Sequence, residues 1–171
     1  EQTQATKGEK AEIIARVNGL TDPKIILALY KASCAGVKIT LIVRGSCCLK
    51  PGIKGVSENI RVLSVVGRFL EHSRVFYFYH KGEEKVFCSS ADWMERNLRH
   101  RVETAFPIED PQLKKRIIDE SLITYLSDTK QSWELKNDGQ YIRRAENTKK
   151  PESAQMVLMK KLALLSDKNA E

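Results

Sequence analysis

Apolar positions along this chain follow two rhythms. Short runs rich in β-branched and aromatic residues read as strands: 11–20 (AEIIARVNGL), 37–43 (VKITLIV), 58–66 (ENIRVLSVV), 74–80 (RVFYFYH), 85–90 (KVFCSS) and 101–108 (RVETAFPI). Between the first two lies TDPKIILALYKASCAG, where Ile25, Ile26, Leu29 and Ala32 recur at helical spacing. Asp22 suits the N-cap of that helix, Pro23 its first position, and Gly36 a left-handed C-terminal stop. Strand, helix, strand in this order predicts a crossover unit and a locally parallel sheet.

The remaining segments fill in around this unit. RGSCCLKPGIKG has no period and reads as a loop, as does GRFLEHS before the fourth strand. KGEE reads as the turn of a hairpin, and ADWMERNL as a short helix or an irregular turn. Residues 109–131 predict one helix, capped by Asp110 and Pro111, with a buried stripe of Leu113, Ile117, Ile118, Leu122 and Leu126. WELKNDGQYIRR predicts a hairpin turning at Asp138-Gly139. AENTKKPES reads as a linker, and AQMVLMKKLALL as a final helix whose Met and Leu stripe suits docking better than membrane anchoring. The pattern predicts an α/β fold, a mixed sheet flanked by helices, with a flexible lead-in over 1–10, one domain over 11–145, and a linker and helix over 146–171.

Composition narrows the partners. The 171 residues suit one domain with tails, and 42% hydrophobic content is enough for a core. The formal charge of +7 favours anionic partners: nucleotides, phosphate polymers, nucleic acid or acidic lipid. No apolar run approaches the roughly 18 residues a membrane span needs, so no integral membrane segment is expected. The polar start, EQTQATKGEK, has no secretory pattern and no initiating Met, and reads as a piece of a longer polypeptide. Of the four cysteines, Cys47 and Cys48 are adjacent and no CxxC pair exists. Cys34 and Cys88 lie in apolar contexts and are expected to pack as small hydrophobes. Together these predict reduced thiols, a cytoplasmic setting and no cysteine metal site.

Three clusters are candidates for chemistry. Arg44 ends the run ITLIVRG, at the carboxyl edge of a strand, where open α/β sheets bind ligands and where a guanidinium fork suits phosphate. His72 and Arg74 form HSR, two residues apart, and share a face if the strand has already begun. A neutral histidine there can shuttle protons or act as a nucleophile, and a protonated one can grip phosphate. Neighbouring Glu71 either raises the pKa of His72 or balances charge. In SSADWMERNLRHR, Ser89 and Ser90 offer hydroxyl and backbone donors, Asp92 an acceptor for a histidine, and Arg96, Arg99 and Arg101 a basic stretch around Trp93. No P-loop, GxGxxG or GxSxG is present, and no nucleic-acid motif, so no specific nucleic-acid partner is expected.

Longer stretches carry a resemblance. DPKIILALYKASCAGVKITLIVRGSCCLKPGIKGVSENIRVLSVVGRFLEHSRVFYF, SSADWMERNLRHRVETAFPIEDPQLKKRI and DGQY resemble the polyphosphate kinase family in its C-terminal catalytic domain. The resemblance runs from about Ile13 to Arg143 and implies a phospholipase D-like fold. It also implies magnesium-dependent, reversible transfer of the terminal phosphate of ATP to inorganic polyphosphate through a phosphohistidine, in a self-associating cytoplasmic enzyme. That location is compatible with peripheral contact with the inner membrane. In that family the arginine of VRG and the histidine of EHSR contact nucleotide phosphates; they match Arg44 and His72. Arg74, Ser90 and Arg96 are further candidates for the phosphate-binding wall.

The resemblance has gaps. The autophosphorylated histidine, the magnesium-associated arginines and a base-contacting tyrosine belong to preceding domains, and the histidine's motif is not found here. The wider phospholipase D pattern pairs two HxK motifs with a later Asp, a Ser and an Asn. This chain has one HxR, Tyr79 where the Asp would fall, and Asp92 in place of the Asn, which argues against phosphodiesterase chemistry. Two readings remain: a domain of a phosphotransferase without its nucleophile, and a non-catalytic module that binds polyphosphate or nucleic acid.

Overall fold

In a computed structural model, which describes residues 10–144 and 151–168, one mixed sheet organises the chain. Its eight strands are β1 (Ala11–Val17), β2 (Lys38–Val43), β3 (Ile60–Val65), β4 (Val75–His80), β5 (Glu83–Ser89), β6 (Ala105–Pro107), β7 (Ser132–Leu135) and β8 (Tyr141–Arg143). The spatial order is β6-β5-β4-β1-β2-β3-β7-β8. β1, β2 and β3 are mutually parallel, with Glu12 opposite Lys38 and Ile39 opposite Ile60; every other pairing is antiparallel.

Helix α1 (Pro23–Cys34) makes the predicted crossover from β1 to β2. Asp22 accepts from the Ile25 amide at 2.9 Å, a cap worth about 1 kcal/mol. Because side chains alternate along a strand, odd-numbered residues of β1 and β2 face α1. Ile13, Ala15, Val17, Ile39, Leu41 and Val43 join Leu29 and Ala32 in one core layer, and Leu49 from the long β2–β3 loop closes it. Ile14 and Ile42 point the other way. There they meet Leu122, Tyr125 and Ala154, so the later helices cover the second face.

Those helices differ from the expected single one. Helix α3 (Pro111–Ile117) passes into a π-helical stretch, Ile118–Ile123, and ends as α4 (Thr124–Leu126). The expected stripe still faces the sheet at Ile117, Ile118, Leu122 and Leu126, and Tyr125 joins it, whereas Leu113 is exposed. Short α2 (Glu95–His100) follows β5, and α5 (Ala154–Lys168) ends the described chain.

Other differences are local. Lys81 and Gly82 both have positive φ, forming a two-residue turn, so β5 resumes at Glu83 rather than Lys85. The strand expected over 101–108 shrinks to three edge residues ending at Pro107, which has no amide to donate. Cys34 is exposed, its Sγ against the Gly55 carbonyl, and does not pack as a small hydrophobe. All four cysteines are free thiols. The expected lead-in falls almost wholly outside the described residues, as does most of the linker. No helix among the described residues is long and apolar enough to cross a membrane.

Candidate functional site

The sheet's polarity gathers the candidates at one edge. Three parallel strands end there, antiparallel β4 begins there, and β5 ends there. Asn18 after β1, Arg44 after β2, Glu71 to Arg74 before β4, and Ser90 to Asp92 after β5 therefore meet at the carboxyl ends of β1 and β2. Ligands of open α/β sheets bind at such an edge.

Asp92 is the anchor. Its Oδ1 accepts from the Asn18 amide at 2.6 Å and the Gly19 amide at 3.3 Å. Arg74 donates through Nε at 3.2 Å and Nη2 at 2.8 Å, a two-pronged pair. Burial alone would raise the Asp92 carboxyl, but Arg74 and the two amides together hold it below the usual range. Asp92 thus accepts from an arginine and the backbone, not from a histidine as expected. Arg74 also donates from Nη1 to the His72 carbonyl at 2.8 Å, fixing the backbone that carries the imidazole.

Glu71 is likewise committed. Arg16 contacts it at 3.0 Å, and the Tyr125 hydroxyl donates to the same Oε1. Arg16 lies 3.5 Å from the centroid of the Tyr125 ring and donates to the Ser121 carbonyl in the π-helical stretch at 3.3 Å. Burial lowers the Arg16 pKa, opposed by the charge and hydrogen bond of Glu71. Glu71 therefore balances Arg16 rather than His72. Sequence reasoning missed Arg16, which reads as one polar residue inside an apolar strand.

Arg44 and His72 remain available. Arg44 uses Nε to reach Asn18 Oδ1 at 2.8 Å, and its terminal guanidinium nitrogens have no partner among the described residues. His72 is exposed, and its imidazole has no partner among them either. A small cavity of ≈ 10 Å³ is lined by Arg16, Asn18, Arg44, Glu71, Ser73 and Tyr125, so the loop carrying His72 reaches the one carrying Arg44. Because β4 starts only at Val75, His72 and Arg74 are loop residues and do not share a strand face.

The outer candidates are less closely joined. Ser90 donates its hydroxyl to Glu103, and its amide is bound to the Thr104 carbonyl at 2.9 Å, so both donors are used. Arg96 is exposed on α2 and makes no hydrogen bond or ion pair with Arg44, His72 or Arg74. Trp93 stacks on Phe76 with centroids 5.1 Å apart and is a packing residue here. No group of three or more His, Cys, Asp or Glu among the described residues is placed to hold a metal. Asp92 and Glu71, the oxygen donors nearest the site, are already bound by arginines.

The sheet order and its helical covering define a phospholipase D-like fold. The phospholipase D family member Nuc from Salmonella typhimurium matches with a TM-score of 0.52 at 17% identity, over 83% of this chain and 88% of that one. NucT from Helicobacter pylori matches with a TM-score of 0.51 at 16% identity, over 71% and 84%. At such identity the likeness concerns the fold alone. Within that fold, the family model described as polyphosphate kinase C-terminal domain 2 matches residues 1–155, and the chain belongs to that family. It is 57% identical over 164 residues to the polyphosphate kinase of Pseudomonas aeruginosa, covering 95% of this chain and 24% of that protein. It is 53% identical over 163 residues to that of Xylella fastidiosa, covering 95% and 23%. The crystal structure of polyphosphate kinase from Porphyromonas gingivalis matches with a TM-score of 0.90 at 41% identity, over 98% of this chain and 26% of that one. The chain spans about a quarter of the length of these relatives.

Proposed function

We propose that this chain is the C-terminal part of a polyphosphate kinase and supplies one wall of the site that moves the terminal phosphate between ATP and inorganic polyphosphate. The observation that carries the reading is the distribution of charge at the strand edge. Asp92 and Glu71 are each cancelled by an arginine, while the guanidinium fork of Arg44 and the imidazole of His72 face no partner among the described residues. Such an edge attracts oxyanions.

In this reading Arg44 neutralises charge on the transferred phosphoryl oxygens. His72 acts as the catalytic residue, as acid/base or as a charge-stabilising contact. Arg74 orients His72 through its carbonyl, and Ser90 and Arg96 form the outer rim. The nucleophilic histidine belongs to preceding domains, forming its N–P bond as the bond to ADP breaks. The residues described here do not fit a magnesium site, so the family's magnesium is assigned to those domains as well. ATP, ADP, polyphosphate, the remaining domains of the same polypeptide and further copies of it are the partners proposed. Residues 11–145 form the domain, 1–10 a lead-in and 146–171 a linker and helix. The setting proposed is cytoplasmic, compatible with peripheral contact with the inner membrane.

The test is turnover of Arg44→Ala and His72→Ala in the complete polyphosphate kinase polypeptide. Each is expected to lower kcat by about 10²- to 10³-fold with an unchanged melting temperature. Near-normal turnover in both variants overturns the assignment.

A further inference from the structure

Asn18 stands at the centre of the strand edge and has no assigned role. Its backbone is held on both sides. The amide donates to Asp92 at 2.6 Å, and the carbonyl accepts from the Gly45 amide at 2.8 Å. Gly45 permits this approach, because a Cβ there would lie 2.8 Å from the Asn18 oxygen. A side chain on so constrained a backbone is presented in a fixed direction.

That side chain is also fixed in orientation. Arg44 can only donate, so the atom 2.8 Å from its Nε must be the amide oxygen. The amide nitrogen, Nδ2, is then the remaining donor, and it is buried without an acceptor among the described residues. Buried donors are nearly always paired, so Nδ2 calls for an oxygen beyond the described residues, and the ≈ 10 Å³ cavity beside it has the size of one water-sized oxygen. Asn18 lines the small cavity together with Arg44, Arg16, Glu71 and Ser73.

We propose that Asn18 is the positioning residue for Arg44 in phosphate binding, and that its neutrality is the property required. Its oxygen occupies Nε alone and leaves the terminal fork of Arg44 for a phosphate. A carboxylate in the same place would hold Arg44 equally well but cancel its charge, as Asp92 does for Arg74 and Glu71 for Arg16. It would also add an anion beside Asp92. An amide orients the arginine without neutralising it. This inference rests on the phosphotransfer reading above.

The experiment compares Asn18→Asp, Asn18→Ala and Arg44→Ala in the complete polyphosphate kinase, measuring kcat and KM for ATP and the melting temperature. Asn18→Asp keeps shape and the acceptor for Arg44. It is expected to raise KM for ATP about tenfold or more, the equivalent of roughly 1.4 kcal/mol, with little change in melting temperature. Asn18→Ala frees Arg44 and is expected to lower kcat/KM about 10- to 100-fold. If Asn18 serves only the fold, Asn18→Asp works like the unsubstituted enzyme, and that result overturns the proposal even if Asn18→Ala unfolds. Arg44→Ala separates the two levels. No effect of Arg44→Ala refutes the place of Arg44 in the phosphotransfer reading, on which this inference rests, whereas a large effect beside a neutral Asn18→Asp refutes only the role of Asn18.

Discussion

Asp92 ties together the ends of β1 and β5 and the residue before β4, and its four hydrogen bonds all reach the carboxylate. An asparagine in its place keeps one acceptor but leaves Arg74, largely buried, without its counter-charge. Asp92→Asn is expected to cost about 2 kcal/mol, read by denaturant unfolding at neutral pH. The pH dependence has a definite sign. The folded-state pKa of Asp92 is depressed, so its contribution is complete above the unfolded-state value of about 4 and disappears as pH falls through the lower folded-state value. The stability curves of the two proteins therefore converge on acidification below about pH 4. A gap that stays constant to about pH 3 counts against the charged pair as its source. The cap at Asp22 and the position of Arg44 were legible in the sequence because they follow from local context, a cap before Pro23 and the end of an apolar run. Arg16, Asn18 and the true partner of Asp92 were not, because each is defined by a contact with a distant segment.

At the level of elements, the start of α5 reaches back to the loop that carries His72. Gln155 accepts from the Phe69 amide at 2.9 Å and donates to the Phe69 carbonyl at 2.8 Å, a double clasp on the β3–β4 loop. Ser153 and Ala154 are stitched to Gln131 and Asp128 at 2.6 and 2.7 Å, which fixes the helix entrance. Gly67 makes room, since a Cβ there would collide with the amide oxygens of Gln155 and Gln131. Gln155→Ala removes both loop bonds, worth about 1–2 kcal/mol together. Amides of 67–73 are expected to exchange about tenfold faster or more, with those of β1 and β2 unchanged, as read by hydrogen exchange. Equal exchange in that loop removes the clasp from consideration. The final helix was legible as a helix, but Val157, Met159, Leu162 and Leu164 are exposed, and its use of a polar residue to hold a loop was not legible, because Gln155 belongs to no apolar stripe. The π-helical stretch was hidden for a similar reason. Its sequence contains neither Pro nor Gly, and Arg16 and the Thr124 hydroxyl, which serve the Ser121 and Asp119 carbonyls, are tertiary and short-range partners that periodicity does not reveal.

For the whole molecule, the question is whether +7 of net charge binds polyanions diffusely or through one edge. Strand order was partly legible: the parallel β1-β2-β3 core follows from one crossover and a long loop, while the placement of β7 and β8 beyond β3 depends on a return across the second face. That topology brings the loop carrying His72 to the edge where Arg44 stands, against many lysines and arginines spread elsewhere. The two modes of binding respond differently to salt. A diffuse surface releases counterions on binding and loses affinity steeply as salt rises, whichever single arginine is removed. A defined site keeps a salt-insensitive component from directed hydrogen bonds, and that component vanishes with its donors. Calorimetric titration of polyphosphate and of ATP into the 171-residue chain at about 50 and 200 mM salt separates them. For a defined edge, Arg44→Ala and His72→Ala are each expected to weaken ATP binding about tenfold at both salt concentrations. Binding that falls with salt but ignores both substitutions identifies a polyanion-binding module, and assigns the phosphate site to residues contributed by the rest of the polypeptide.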